Sequence, residues 1–196
     1  MKIAIVKYNA GNTRSVINAL ERLGVKSVVT DDAETLCAAD RVIFPGVGEA
    51  SSAMKYLRER RLDEVIKSLR QPVLGICLGM QLLCDVSEEN GTDCLSILPY
   101  SVRRFSDCDL KVPQIGWNNI SSLKTMLFSG VADDSFVYFV HGYYVEKGAE
   151  TIATADYGIE FSAAVQHQNF YAVQFHAEKS GVVGAKILEN FLKINV

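Results

Sequence analysis

The sequence has little of what would mark an oxidising, membrane-bound or nucleic-acid-binding protein. Its five cysteines, Cys37, Cys77, Cys84, Cys94 and Cys108, form no CxxC pair and leave one over, which argues against a disulfide framework and against a zinc site. Most are expected to be reduced thiols that fill space. No apolar run approaches the roughly 18 residues of a membrane span, and the apolar start of "MKIAIVKYNAGN" is too short for a signal peptide. A cytoplasmic protein is expected. Neither sign of charge dominates: the formal net charge is -3 and the basic residues are spread along the chain, so the electrostatic footprint of a nucleic-acid binder is missing. A small-molecule substrate or a protein partner fits better. Repeats, low-complexity tracts and linkers are also lacking, and the chain, residues 1–196, is expected to form one domain.

What the chain does have is apolar material, 48% of its residues, enough for a domain that buries roughly 70% of its unfolded surface. "KIAIVK" (2–7), "KSVVT" (26–30) and "RVIF" (41–44) read as buried strands. Between the first two, Val16, Ile17, Leu20 and Leu23 recur at helical spacing until Gly24, and a further helix is expected from about Glu49 to Leu69. Alternation of strand and helix through Cys84, with near-continuous apolar strands, predicts a mostly parallel α/β sheet covered on both faces. Beyond Val86 the runs "LSIL", "SVRRF", "SFVYFVHGYYVE", "TIATAD", "EFSAAVQ" and "NFYAVQF" predict mixed or antiparallel strands, and "GVVGAKILENFLKI" (181–194) a last amphipathic helix.

One junction carries chemistry. In "PVLGICLGMQLL" (72–83), Gly75, Cys77 and Gly79 have the G-x-nucleophile-x-G spacing of a strained turn between strand and helix. A thiol there sits beside unpaired backbone N–H groups that favour the thiolate, and the Leu78 N–H can face an oxyanion. The same spacing also arises where a buried cysteine packs between glycines, so a base has to be found. Of His141, His167 and His176, only His176 has a carboxylate at i+2, Glu178 in "QFHAEKS", which alternation on a strand would set beside the ring. Cys77, His176 and Glu178 then follow the logic of a nucleophile, a base and an orienting acid. A solvated histidine beside a chance glutamate is the bland alternative.

"GICLGMQ", followed about a hundred residues later by "QFHAEKS", resembles the class I (triad) glutamine amidotransferases. Within that family, "VKYNAGNTRSV", "FPGVGEA", Met80, "KVPQIGWN" and "YFVHGYYV" resemble the branch of glutaminase subunits of imidazole glycerol phosphate synthases, in histidine biosynthesis. The resemblance runs nearly the full length and implies a flavodoxin-like α/β fold, no cofactor and no metal. It implies hydrolysis of glutamine to glutamate and ammonia through a Cys77 thioester, with His176 and Glu178 completing the triad. It further implies an oxyanion hole from Leu78 and Val47 or Gly48 in "PGVG". Substrate contacts are implied at Gly48, Gln81, His141, Gly142 and Tyr143, with Asp93 near the α-ammonium. The partner implied is a (β/α)8-barrel cyclase that takes the ammonia by a sealed channel, and Asn12 and Lys179 resemble partner-face residues. Asn12 is an equally good helix N-cap and Lys179 an ordinary solvated lysine. Four positions depart from the family pattern: Ala177 for a usual proline, Gln114 before "GWN", Gly142 for a common serine, and Asp93 for a glutamate. Two rivals stay open, a like subunit serving another synthase and a thiol protein of the same fold.

Overall fold

Ile3 to Val6 are buried without a break, and they alternate between two cores: Ile3 and Ile5 pack into one, Ala4 and Val6 into the other. That is the signature of a strand covered on both faces, and it sets the plan of the molecule. The computed structural model describes residues 1–9, 12–106 and 110–194. Ala10 and Gly11 of "YNAGN", as well as Cys108, lie outside the described residues.

The first half alternates as expected: β1 (Ile3–Val6), α1 (Thr13–Arg22), β2 (Ser27–Thr30), α2 (Ala33–Cys37), β3 (Arg41–Phe44), α3 (Ala50–Glu59), α4 (Leu62–Ser68), β4 (Val73–Ile76) and α5 (Leu78–Leu82). The second half holds β5 (Val86–Ser87), β6 (Thr92–Asp93), β7 (Ser101–Arg104), β8 (Gln114–Ile120), β9 (Ser135–His141), β10 (Tyr143–Val145), β11 (Thr151–Asp156), β12 (Glu160–His167), β13 (Phe170–Val173) and α6 (Gly181–Lys193). Strands β2, β1, β3, β4 and β13 lie side by side and parallel. From β13 the sheet continues antiparallel through β12 to β10 and β7, then by a parallel pairing to the short β5 and an antiparallel one to β6, with β11 also antiparallel on β12. A separate antiparallel pair, β8 and β9, stands against this sheet.

Three expectations differ from what forms. The helix expected from Glu49 to Leu69 is two helices, because its apolar stripe of Ala50, Ala53 and Leu57 meets Arg60 and Arg61 where it should continue. A left-handed Arg61 (φ 57°) resets the frame so that Leu62 and Ile66 return to the core. "LSIL" is no strand: the N–H groups of Leu95, Ile97 and Leu98 instead bond to the carbonyls of Leu82 and Leu83 and close the end of α5. "SFVYFVHGYYVE" is not one strand but two in different sheets, β9 and β10, parted at Gly142.

Two anchors fix the elements that carry the site. Buried Arg41 donates to the carbonyls of Phe191 and Ile194 and ties the C-terminal end of α6 to the sheet. At the other end of α6, Gly184 packs so tightly on the preceding turn that a Cβ there would lie 1.9 Å from the Ala177 carbonyl oxygen.

Candidate active site

Strand β4 ends at Ile76 and α5 begins at Leu78, leaving Cys77 alone to make the turn, at φ 53° and ψ -111°. A non-glycine residue in that region is strained, and the neighbours have to hold it. The Cys77 N–H donates to the Val173 carbonyl at 2.8 Å. Gly79 is obligatory: a Cβ there would lie 1.9 Å from the Phe44 carbonyl oxygen, so α5 could not rest on the end of β3. The result is the geometry of a nucleophile elbow. As α5 has only five residues, its contribution is local N–H groups rather than a long dipole.

His176 reaches the sulfur by another route than alternation on a strand. Strand β13 stops at Val173, and His176 caps a 3-10 turn, Ala177–Lys179. The turn folds Glu178 back so that its Oε1 lies 2.8 Å from His176 Nδ1, with both side chains buried. Ser180 locks it, donating from its hydroxyl to the His176 carbonyl at 2.7 Å and accepting the Tyr138 N–H at 2.9 Å. The turn therefore stays closed with Ala177 in it. Burial opposes a charge on His176, but hydrogen bonds to Cys77 and Glu178 outweigh it and raise its pKa to about 10. The imidazole is thus poised to be the cation beside a thiolate, with Nδ1–H donated to Glu178.

These groups open on a cleft of about 480 Å³, lined also by Val47, Gly48, Leu78, Gln81, His141, Gly142, Tyr143 and Lys179. Ten of the residues singled out in the sequence therefore meet there, with Glu178 behind His176. His141 is buried, which lowers its pKa to about 4 against the pull of its bond to the Tyr143 carbonyl. Its neutral ring donates from Nδ1 to that carbonyl, so the Gln114 amide 2.8 Å from Nε2 has to present its NH2 end. At Gly142 an added Cβ would meet only ordinary contacts, 3.7 Å from Val112 and 3.8 Å from Pro113, so its departure from serine is sterically neutral.

Within "PGVG", the Val47 N–H is not set to complete an oxyanion hole with Leu78. Leu78 N–H donates to the Gly46 carbonyl at 3.4 Å. Because the C=O of Gly46 and the N–H of Val47 point oppositely across one planar peptide, the Val47 N–H is turned away from that spot. Gly46 is required by packing, since a Cβ would come within 2.6 Å of Gly79 N, Leu78 Cβ and the Tyr8 hydroxyl, whereas Gly48 is required by its φ of +117°. Tyr8, which the sequence reading passed over, donates its buried hydroxyl to the Pro45 carbonyl at 2.5 Å. Burial and the nearby Cys77 push its pKa up.

Asp93 and Asn12 are not in the cleft. Asp93 is exposed on β6 and faces a groove beside α3, its carbonyl accepting from Arg58 at 2.9 Å. The acid in the cleft is Glu89, whose Oε2 accepts the Ala50 N–H at 2.7 Å and whose pKa is raised chiefly by burial. Asn12 caps α1, accepting the Ser15 N–H at 3.3 Å. Lys179 stands exposed at the rim.

The outer face of β8 and β9 adjoins the mouth of the cleft. Ile115, Trp117 and Phe136 are 59%, 56% and 59% exposed there, and Trp117 pairs with Tyr138 in edge contact at 5.8 Å. Val140, on the same face of β9, lines the cleft itself.

Comparisons with known proteins place the chain among relatives. A family model described as "Glutamine amidotransferase class-I" matches residues 4–195. The chain is 58% identical over 196 residues to "Imidazole glycerol phosphate synthase subunit HisH" of Bacteroides fragilis, covering 99% of this chain and 100% of that one. It is 47% identical over 192 residues to the protein of the same name from Pasteurella multocida, covering 97% of each. Among solved structures, one titled "Crystal structure of glutamine amidotransferase" superposes with a TM-score of 0.75 at 18% identity over 97% of both chains, a likeness of fold.

Proposed function

The chain belongs to the class I glutamine amidotransferases, and from that premise we propose that it is the glutaminase subunit of an imidazole glycerol phosphate synthase, working in histidine biosynthesis. The observation that carries this reading is the meeting of Cys77, His176 and Glu178 at one cleft lined by polar groups spaced for an amino acid. The whole chain acts as one amidotransferase domain of a cytoplasmic enzyme.

The Cys77 thiolate attacks the carboxamide carbon of glutamine, forming the C–S bond while the carbonyl electron pair moves to oxygen. Collapse of that intermediate breaks the C–N bond, and His176 gives its proton to the departing ammonia. The same imidazole then takes a proton from water, which attacks the thioester. The C–S bond breaks, glutamate leaves, and the thiolate is restored beside the protonated imidazole. Glu178 keeps Nδ1 protonated so that Nε2 serves both transfers. Glu89 takes the α-ammonium in place of Asp93, assisted by Gln81, whose NH2 is committed to Tyr143 O and Gln174 and whose oxygen is left for a cation.

Stabilising the oxyanion needs Leu78 N–H together with an N–H from Val47 or Gly48, and so the Gly46–Val47 peptide has to turn over. An incomplete hole holds the subunit nearly idle, since one missing donor costs on the order of 100-fold to 1,000-fold in rate. The partner that completes it is a (β/α)8-barrel cyclase seated on the apolar face of Ile115, Trp117 and Phe136, with Lys179 at its edge, and Asn12 as a further contact. Ammonia passes to that subunit through a closed channel, because free in neutral water it would be protonated and lose its lone pair.

The test is glutamine-dependent product formation with the chain mixed with such a cyclase. The expected result is activity that Cys77→Ala abolishes and that added ammonium salt restores. Glutamine-dependent turnover surviving in Cys77→Ala, or rapid glutaminase activity without any partner, would overturn the reading.

A further inference from the structure

Gln174 lies one residue past the end of β13, wholly buried, with its side chain beside the elbow. Its orientation follows from its neighbours. Gln81 Nε2 donates to the Tyr143 carbonyl at 3.1 Å, an atom that can only accept, so the nitrogen end of Gln81 is fixed. That nitrogen is also 3.0 Å from the Gln174 amide, which has to present its oxygen there, since two NH2 groups cannot bond. The nitrogen of Gln174 is thereby turned to Cys77 Sγ, at 3.7 Å.

The other polar neighbour of the sulfur makes this contact matter. The Val140 carbonyl oxygen stands 3.6 Å from Sγ and can only accept, so it serves the thiol and repels the thiolate. Cys77 is 6% exposed, which limits how far water makes up the loss. The titratable groups around the sulfur are His176 with Glu178 behind it, Tyr8 and His141, and at the rim Glu89, Arg104 and Lys179. None of these gives the sulfur a neutral donor that stays in place when His176 has passed its proton on.

We propose that the Gln174 side-chain amide is a catalytic group that holds the Cys77 thiolate by an N–H···S hydrogen bond, with Gln81 as the residue that aims it. The proposal rests on Cys77 being the nucleophile, and the two fail separately because alkylation of the thiol involves no glutamine turnover.

The experiment follows iodoacetamide alkylation of Cys77 in the full chain from pH 6 to pH 10, with the exposed Cys37 as internal reference. In Gln174→Met the Cys77 rate at pH 7 should fall about tenfold, the worth of a weak hydrogen bond to a charged group. In Gln174→Glu, which puts a charge where the donor was, it should fall further. Both variants should approach the unmodified chain by pH 10, where an ordinary thiol is largely ionised, while Cys37 reacts alike throughout. Unchanged rates at pH 7, or a loss of the same factor at every pH, would overturn the proposal, the latter because it marks altered access. Labelling of buried Cys84 and Cys94 would reveal a variant that does not fold. In that event, 15N-glutamine labelling of the unmodified chain decides: the Gln174 side-chain resonance should shift strongly on comparison with Cys77→Ala and follow the ionisation of the sulfur, and a resonance indifferent to both overturns the proposal.

Discussion

Under the proposed reaction, single residues in the cleft divide into those that make and break bonds and those that recognise an amino acid, and Glu89 tests the division. A carboxylate that meets the α-ammonium equally before and during reaction binds substrate and transition state alike. Glu89→Gln is therefore expected to raise the KM for glutamine by on the order of tenfold or more with kcat changed only a few-fold. A steady-state assay of the complex checks this, and a fall in kcat at constant KM would remove Glu89 from that role. The sequence made the triad legible because the elbow demands small residues at fixed spacing, and only one of the three histidines has an acid two residues further on. It did not distinguish Glu89 from Asp93, because "SEENGTD" offers several acids and the turn Glu89–Gly91 decides which of them faces inward. Gln174 was hidden for a related reason: embedded in "YAVQF", it looks like any polar residue at a strand end.

Helix α3 follows "PGVG" directly, and its cap shows how an element holds the loop before it. The Glu49 side chain accepts the N–H groups of Ser51 and Ser52 at 2.9 Å each and the Asn90 amide at 2.8 Å. Bonds to Ser51 first, then to Ser52 and Asn90, lower its pKa to about 2. A carboxyl held below its unfolded value near 4.5 contributes stability above that pH and loses it as pH falls toward 2. Glu49→Ala should accordingly cost about 1 kcal/mol at pH 7, roughly 2–4 °C in Tm, and the gap should close as the pH drops from about 4.5 to 2. Thermal melts of both chains across that range check it, and a gap independent of pH would show that the charge contributes nothing. Elements with an uninterrupted apolar stripe were legible, α1 and α6 among them. The left-handed turn at Arg61 was legible only as a stripe that runs out, and the 3-10 turn under His176 gave no periodic signal at all.

For the whole molecule, the parallel half could be read because β1, β3 and β4 are buried on both faces and each strand there is followed by a helix, whereas "KSVVT", expected to be buried, forms the edge strand β2 with Val28 46% exposed. The order of the second half could not, since β13 pairs with β4 across nearly a hundred residues and β10 with β7 across some forty. Strand pairing at such separation leaves no trace in local composition. The exposed face of β8 and β9, proposed above to receive a partner, likewise leaves no local trace, and Trp117 is its largest side chain. Trp117→Ala should leave the melting temperature of the free chain within about 1 °C, yet weaken binding to the cyclase by about 2 kcal/mol or more, some 30-fold in Kd. Scanning calorimetry reads the first and calorimetric titration the second, and unaltered affinity would move the docking face elsewhere. One further consequence belongs to Gly142, where a continuous stretch of backbone leaves the small sheet and enters the large one. Any tilt of the β8–β9 pair relative to the main sheet is transmitted along the covalent chain to the hinge between His141 and Tyr143. The proposed glutamine slot has His141, Gly142 and Tyr143 in its wall, so a push delivered on the outer surface would reach the bound amino acid through that stretch of backbone.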